Sequence, residues 1–285
     1  MLYREFETQA ELDAQYDVGE RNDESDAYAE FYVEESRKAR ADLDVHRDVS
    51  FGPTVPERLD IFPADRADAP VLLFVHGGYW HSNHAEDFSF VARGPVSEGV
   101  TTVVMNYALC PAVPVPEVVR QARAALVWTH ENIAEYGGDP DRLFVSGHSA
   151  GGHLTGCLLS TDWEDDYGKP ADLVEGACAV SGLYDLEPFP YTWLQPKLQL
   201  TWREVREHSP IRHLPDRAPP LIVTYGEEES AELRRQSADF LTAWRDHGLD
   251  GRSLPQPGAD HYSAIEGFLD PESQLCSAIL DLIEE

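Results

Sequence analysis

Leu143-Phe144-Val145-Ser146-Gly147-His148-Ser149-Ala150-Gly151-Gly152 begins as a short apolar strand, runs into a glycine-flanked serine, and continues into His153-Leu154-Thr155-Gly156, a helix-compatible segment. This pattern requires a sharp turn from strand to helix with one side chain left exposed at the apex. Glycines on either side let the backbone close without Cβ clashes. The serine then sits at a helix N-terminus, where developing negative charge is favoured. Chance alone gives a G-x-S-x-G match roughly 0.08 times in a chain of this length. The strand–turn–helix setting makes an idle serine a poor account of it.

The same rhythm extends outward. Val71–Val75, Val100–Met105, Ala177–Ser181 and Leu221–Tyr225 are further short apolar runs, and Arg142–Ser146 is the one before the serine. Continuous apolar runs of this kind suit strands buried on both faces. Between them, 116–136, 149–160, 232–246 and 272–285 read as helices. Alternating strands and helices predict an α/β fold, with a mostly parallel central sheet and helices on both faces. Residues 43–62 add two earlier antiparallel strands. Residues 183–215 break the rhythm with prolines and the aromatics Tyr184, Phe189, Tyr191, Trp193 and Trp202. They are read as a small cap over a pocket at one end of the sheet. Residues 1–45 are polar and acidic. Tyr28, Phe31, Tyr32 and Ala39 keep near-helical spacing there, so 24–42 is expected to be an amphipathic helix. Packing on the body is the expected role, and a lid over the pocket the alternative. The whole of 1–285 is read as one domain, with 1–45 a helical extension.

A second motif, His76-Gly77-Gly78-Tyr79-Trp80, follows the strand at 71–75. Adjacent glycines free the backbone to aim N–H groups at a reacting oxygen. With the N–H of Ala150, those of Gly77, Gly78 or Tyr79 can form an oxyanion hole, each donor being worth about 2.7–4 kcal/mol. His76 is read as structural. A nucleophilic serine also needs a base and an orienting acid, in the chain order serine, acid, histidine. After Ser149, His153 lies within the elbow helix, His208 and His213 in the cap, and His247 at a helix end. His261 alone lies in a loop between the last strand-like run, 251–255, and the last helix, where a base belongs. The acid should follow the strand at 221–225, where Glu227, Glu228 and Glu229 compete. Asp185 is a fourth candidate.

Composition bounds the partners. The 285 residues carry 22 Lys and Arg against 52 Asp and Glu, a formal net charge of −30. Such a field argues against nucleic acid and anionic lipid surfaces. No apolar run approaches a membrane span. No signal peptide is read at Met1–Glu7, and Cys110, Cys157, Cys178 and Cys276 show no metal spacing, so reduced core thiols and a cytoplasmic location are expected. Only three cations are lysine, at 38, 169 and 197. Excess carboxylate with little lysine predicts a surface suited to high salt. Melts without salt and in molar KCl test this, and no gain in stability with salt would sink it.

The elbow and the H-G-G-x-W loop together resemble α/β-hydrolases of the hormone-sensitive-lipase side. More narrowly, they resemble the kynurenine formamidase (arylformamidase) group, whose loop reads H-G-G-Y-W, as at His76–Trp80. The group's acid opens a D-S-P-E-F-x-R-Q-S segment. Glu229-Ser230-Ala231-Glu232-Leu233-Arg234-Arg235-Gln236-Ser237 is similar, which implies Glu229 as the acid. The group's base opens H-F-D-x-x-E, similar to His261-Tyr262-Ser263-Ala264-Ile265-Glu266. Ser181–Glu187 also resembles the group's segment before the cap. Glu229 replaces Asp, Leu233 replaces Phe and Ser263 replaces Asp.

The resemblance spans about 55–285 and implies the α/β-hydrolase fold. The expected chemistry is ester hydrolysis by Ser149, His261 and Glu229 through an acyl-enzyme, with no cofactor and no metal. Trp80, Tyr184, Phe189 and Tyr262 are expected to line a small aromatic pocket. The expected partner is a small-molecule ester, with formamide hydrolysis and a non-catalytic binding protein on the same fold as the alternatives. Relatives of this fold often pair through the last strand or helix, so a homodimer is carried as an expectation.

Overall fold

The apolar run at 71–75 becomes a central strand of the sheet because both of its faces are covered. In the computed structural model, which describes residues 1–21 and 25–285, the strands are β1 (His46–Ser50), β2 (Arg58–Phe62), β3 (Ala69–Val75), β4 (Thr101–Met105), β5 (Gly138–His148), β6 (Gly176–Val180), β7 (Leu221–Gly226) and β8 (Gly251–Gln256). They form one sheet in the order β1-β2-β4-β3-β5-β6-β7-β8. β1 pairs antiparallel with β2, and β2 antiparallel with β4. Every other pairing is parallel.

Alternation along β3 feeds two cores. Val71, Leu73 and Val75 enter one cluster, with the helices Val115–Asn132, Ala150–Leu159 and Ala231–Asp246. Leu72 and Phe74 enter the other, against the 3-10 turn Ala85–Ala92 and the helix Gln274–Glu284. A period of two on a doubly covered strand produces this division. Among the described residues, no helix is long and apolar enough to cross a membrane. The four cysteines are buried and unpaired with one another.

Two boundaries differ from the sequence reading, the first in a way that bears on the site. β5 is longer than the run 142–146. Gly138 pairs with Ala69 at one end, and Gly147 and His148 pair with Val75 and Val180 at the other. Ladder bonds therefore hold the strand rigid up to Ser149. The helix expected at 116–136 ends at Asn132 and continues as a 3-10 turn, closed by Gly137 at φ 82°. The helix expected over 24–42 is described from Ser25 to Asp42, and residue 24 lies outside the described residues.

That helix packs on the body. Tyr32 meets Phe90 with ring centroids 4.9 Å apart, and the Phe90 N–H donates to Ser36 Oγ. It also reaches the last loop, where Tyr28 stacks on Tyr262 at 5.3 Å and the Tyr32 hydroxyl donates to the Tyr262 carbonyl. The preceding helix, Gln9–Tyr16, is anchored as well. The Tyr16 hydroxyl donates to Glu232 at 3.0 Å, and the Trp193 N–H donates to Asp13 at 2.8 Å.

Candidate active site

Parallel strands present their C-terminal ends at one edge, and loops leaving that edge meet there. The loops after β3, β5, β7 and β8 build the site. After β5, Ser149 takes φ 57° and ψ −115°, a conformation that a residue with a Cβ adopts only when its surroundings hold it. Its N–H donates to Val180 O at 2.9 Å. The glycines beside it are sterically required: a Cβ on Gly151 would stand 1.9 Å from Val75 O, and one on Gly147 would stand 2.3 Å from Gly151 O.

Ser149 Oγ lies 3.0 Å from His261 Nε2. His261 comes from the loop after β8. Its Nδ1 faces Glu229 Oε2 at 3.4 Å, a charge contact too long and too poorly aligned for a good hydrogen bond. Such contacts are often loose in a free enzyme and tighten when substrate binds. The other Glu229 oxygen accepts from the Gly226 N–H at 2.9 Å and from the Ser181 hydroxyl. One oxygen is thus saturated and the other is directed at the imidazole. Glu227 and Glu228 are exposed, whereas Glu229 is buried. Asp185 pairs instead with Arg212 in the cap.

His148, one residue before Ser149, is an addition from the structure. Its Nε2 donates to the His261 carbonyl at 2.8 Å, and the two rings are 4.7 Å apart. Burial, and then His261 nearby, hold its pKa well below the ordinary value, so the ring is neutral. The neutral ring steadies the backbone that carries His261. Its place inside the elbow motif is the signal that could have flagged it. Ser181, which follows β6 at φ 52°, supports Glu229 in the same manner.

The loop after β3 passes directly beside the serine. A Cβ on Gly77 would lie 3.0 Å from Ser149 Cβ. Gly78 takes φ 117°, and a Cβ there would meet Ser82 O at 2.4 Å. Tyr79 and Trp80 also have positive φ, and the turn is closed by the His81 and Ser82 N–H groups donating to Gly78 O. His76 holds the start of the loop. Its buried ring stacks on Tyr107 at 4.1 Å, its Nδ1 bonds Gly77 O, and burial lowers its pKa to about 4. Ala150 opens the elbow helix, and first-turn N–H groups have no intrahelical acceptor.

Ser149 and His261 open on a cavity of about 340 Å³. Gly77, Gly78, Tyr79 and Tyr262 line it, as do His81, Phe88 and Trp193. Trp80, Tyr184 and Phe189 do not. Trp80 is fully buried, and its indole N–H donates to His153 Nδ1 at 3.1 Å. Tyr184 stacks on Phe240 at 4.1 Å, and Phe189 packs on Tyr16 at 5.1 Å. These three form the core beneath the cap, where large rings bury more area than an open wall allows. The N-terminal segment does more than pack: Asp17, Asp26, Ala29 and Tyr32 also line the cavity.

His153 links the loop to the cap, since its Nε2 donates to His208 O at 2.7 Å. Burial lowers its pKa to about 3. With a folded pKa below the unfolded value of about 6.5, the unfolded chain binds a proton that the folded chain refuses. Its contribution to stability is complete above about pH 6.5 and declines as pH falls towards 3, by roughly 1 kcal/mol at pH 5.5. A glutamine amide can accept from Trp80 and donate to His208 O. His153→Gln is therefore expected to flatten the fall in Tm between pH 7.5 and 5.5. A slope equal to wild type would refute this.

Comparison with known proteins follows the geometry. The family model BD-FAE matches residues 59–244. The chain belongs to the BD-FAE family of α/β-hydrolases. This BD-FAE hydrolase is 30% identical over 258 residues to the kynurenine formamidase of Salmo salar, covering 88% of this chain and 86% of that one. It is 32% identical over 239 residues to esterase LipQ of Mycobacterium tuberculosis, covering 75% of this chain and 56% of LipQ. Among solved structures, it superposes with a TM-score of 0.84 on a Silicibacter sp. TM1040 protein described as a candidate thioesterase. The two are 26% identical, and the match covers 95% of this chain and 99% of that one. The BD-FAE chain is thus a hydrolase of the group that holds esterases and arylformamidases.

Proposed function

We propose that this hydrolase cleaves small carboxylic esters through Ser149, His261 and Glu229. The observation that carries the reading is the 3.0 Å approach of His261 Nε2 to Ser149 Oγ, on a strained elbow at a cavity wall. Ser149 Oγ attacks the carbonyl carbon as His261 Nε2 takes its proton. Glu229 holds the imidazole Nδ1–H towards itself and stabilises the imidazolium that forms. The oxyanion is met by backbone N–H groups of Gly77, Gly78 or Tyr79 and of Ala150. Collapse expels the alcohol, protonated by His261. Water, deprotonated by the same ring, then attacks the acyl-enzyme and releases the acid and Ser149.

A second reading, formamide hydrolysis of the N-formylkynurenine type, is favoured by the length of the match to a named kynurenine formamidase. The same machinery serves it, with His261 protonating a leaving amine. The test compares kcat/KM for N-formylkynurenine with that for p-nitrophenyl acetate and butyrate, using Ser149→Ala as the blank. Ester turnover with little formamide turnover is the expected result. A formamide value far above the esters would replace the first reading by the second.

Four buried free thiols support a reducing, cytoplasmic setting. Disulfide-linked cysteines in protein purified from its native source would count against it. A homodimer completes the reading, and sedimentation as a monomer at micromolar concentration would remove it.

A further inference from the structure

Two of the loops that build the site lean on the N-terminal segment, each through one tyrosine hydroxyl. Tyr79 belongs to the loop after β3 and takes φ 48°. Its ring is buried, and its hydroxyl donates to the carbonyl of Tyr16, the last residue of the helix Gln9–Tyr16. The last carbonyls of a helix have no intrahelical donor, so this one is available to a side chain. Tyr262 directly follows His261 in the loop after β8. Its carbonyl accepts from the hydroxyl of Tyr32, and its ring stacks on Tyr28 at 5.3 Å. Both tyrosines belong to the helix Ser25–Asp42.

The anchors are themselves fixed. The Tyr16 hydroxyl donates to Glu232 at 3.0 Å and accepts from Gln236 Nε2 at 3.3 Å, and its ring packs on Phe189. Glu232 and Gln236 lie in the helix Ala231–Asp246, whose N-cap, Ser230, directly follows Glu229. The Tyr32 ring packs on Phe88 and Phe90 at 5.5 and 4.9 Å. Within the base loop, Asp260 Oδ1 accepts from the N–H groups of Tyr262 and Ser263 at 3.0 and 2.8 Å, and His148 holds the His261 carbonyl. Tyr32, which lines the cavity with residues 17–19 and Ala29, holds the next carbonyl along. One segment thus touches the oxyanion loop, the helix behind the acid and the residue after the base.

We propose that Tyr32 and Tyr79 are positioning residues for the hydrolysis, through which the N-terminal segment holds the base loop and the oxyanion loop in place across the cavity. The reaction needs His261 on Ser149 Oγ and the backbone donors on the oxyanion at the same moment, and a displacement of about 1 Å in such a constellation can cost about a hundredfold. Each hydroxyl is engaged in a backbone bond and acts through the loop it holds. Removing it loosens that loop and leaves a carbonyl without its donor. This inference rests on Ser149 and its cavity being the hydrolytic site, and it adds two residues to that site's machinery.

The test compares Tyr32→Phe and Tyr79→Phe with wild type in the full chain, well below their melting transitions. Three quantities are measured: kcat/KM for p-nitrophenyl acetate, Ki for 1,1,1-trifluorobutan-2-one, and Ki for 1,1,1-trifluorobutan-2-ol. Ser149 Oγ adds to the ketone carbon, its proton passes to His261, and the carbonyl oxygen becomes the oxyanion. The alcohol has no carbonyl and reports the cavity alone. Each variant is expected to lower kcat/KM by about threefold to thirtyfold and to raise the ketone Ki by the same factor, with the alcohol Ki within about twofold of wild type. A purely structural role would lower Tm and leave all three quantities unchanged. That result in either variant, or a loss shared equally by ketone and alcohol, would overturn the proposal. Tyr32→Phe keeps the packing on Phe88 and Phe90, and it decides the matter by itself if Tyr79→Phe does not fold. Ester hydrolysis that survives in Ser149→Ala would instead overturn the site on which the proposal rests.

Discussion

Ser149→Ala is expected to lower kcat/KM for p-nitrophenyl butyrate by about 10⁴- to 10⁶-fold while the protein stays folded. The loss is large because the alanine offers no nucleophile, and His261 has no proton to take. Folding should survive. The backbone bond from residue 149 to Val180 O does not involve the side chain, and the glycines that permit the elbow are unchanged. Circular dichroism and a melt within a few degrees of wild type make the loss interpretable. More than a few per cent of wild-type turnover in a variant shown free of wild-type enzyme would show that another group carries the reaction.

Glu229→Gln is expected to cost about 10³- to 10⁴-fold in kcat/KM, whereas Glu227→Gln and Glu228→Gln change it less than about twofold. All three stand in one loop, yet only Glu229 is buried, with one oxygen held by Ser181 and Gly226 and the other facing His261 Nδ1. Glutamine keeps the shape, but it can present an amide N–H₂ where the imidazole needs an acceptor. The ring then loses its orientation, and the imidazolium loses its countercharge. Equal losses in all three variants would point to the field of the loop and away from a directed carboxylate. A silent Glu229→Gln would return Asp185 to consideration.

The parts that sequence reveals most readily here are local. Ser149 and His261 each follow a recognisable strand, and parallel strands deliver the residues after their C-terminal ends to one edge. Glu229 is harder, because Glu227, Glu228 and Glu229 differ in burial and not in chemistry. Burial in that loop depends on how Gly226 abuts the 259–260 backbone, a contact made only in three dimensions. Of the expected wall aromatics Tyr262 lines the cavity, and Trp80, Tyr184 and Phe189 leave it for a similar reason. Loop residues have no periodicity to say which way a ring points. Trp80 lies at the third of three successive positive-φ positions and goes into the core beside His153. Tyr184 and Phe189 are drawn under the cap by Phe240 and Tyr16. Tyr32 and Trp193 face the cavity instead. The approach of Tyr28 and Tyr32 to Tyr262 spans most of the chain and leaves no local signature. His148 carries no separate signature, because it stands beside the stronger signal of Ser149 in the same motif.

The account turns on one atom, Ser149 Oγ, acting as a nucleophile towards a carbonyl-like centre. The most direct test is labelling with a fluorophosphonate, followed by intact mass and peptide mapping while residual ester hydrolysis is recorded. The account predicts a single adduct on Ser149, activity lost in proportion to labelling, and no adduct in Ser149→Ala. An enzyme that hydrolyses esters with Ser149 unlabelled, or with the adduct on another residue, would contradict it.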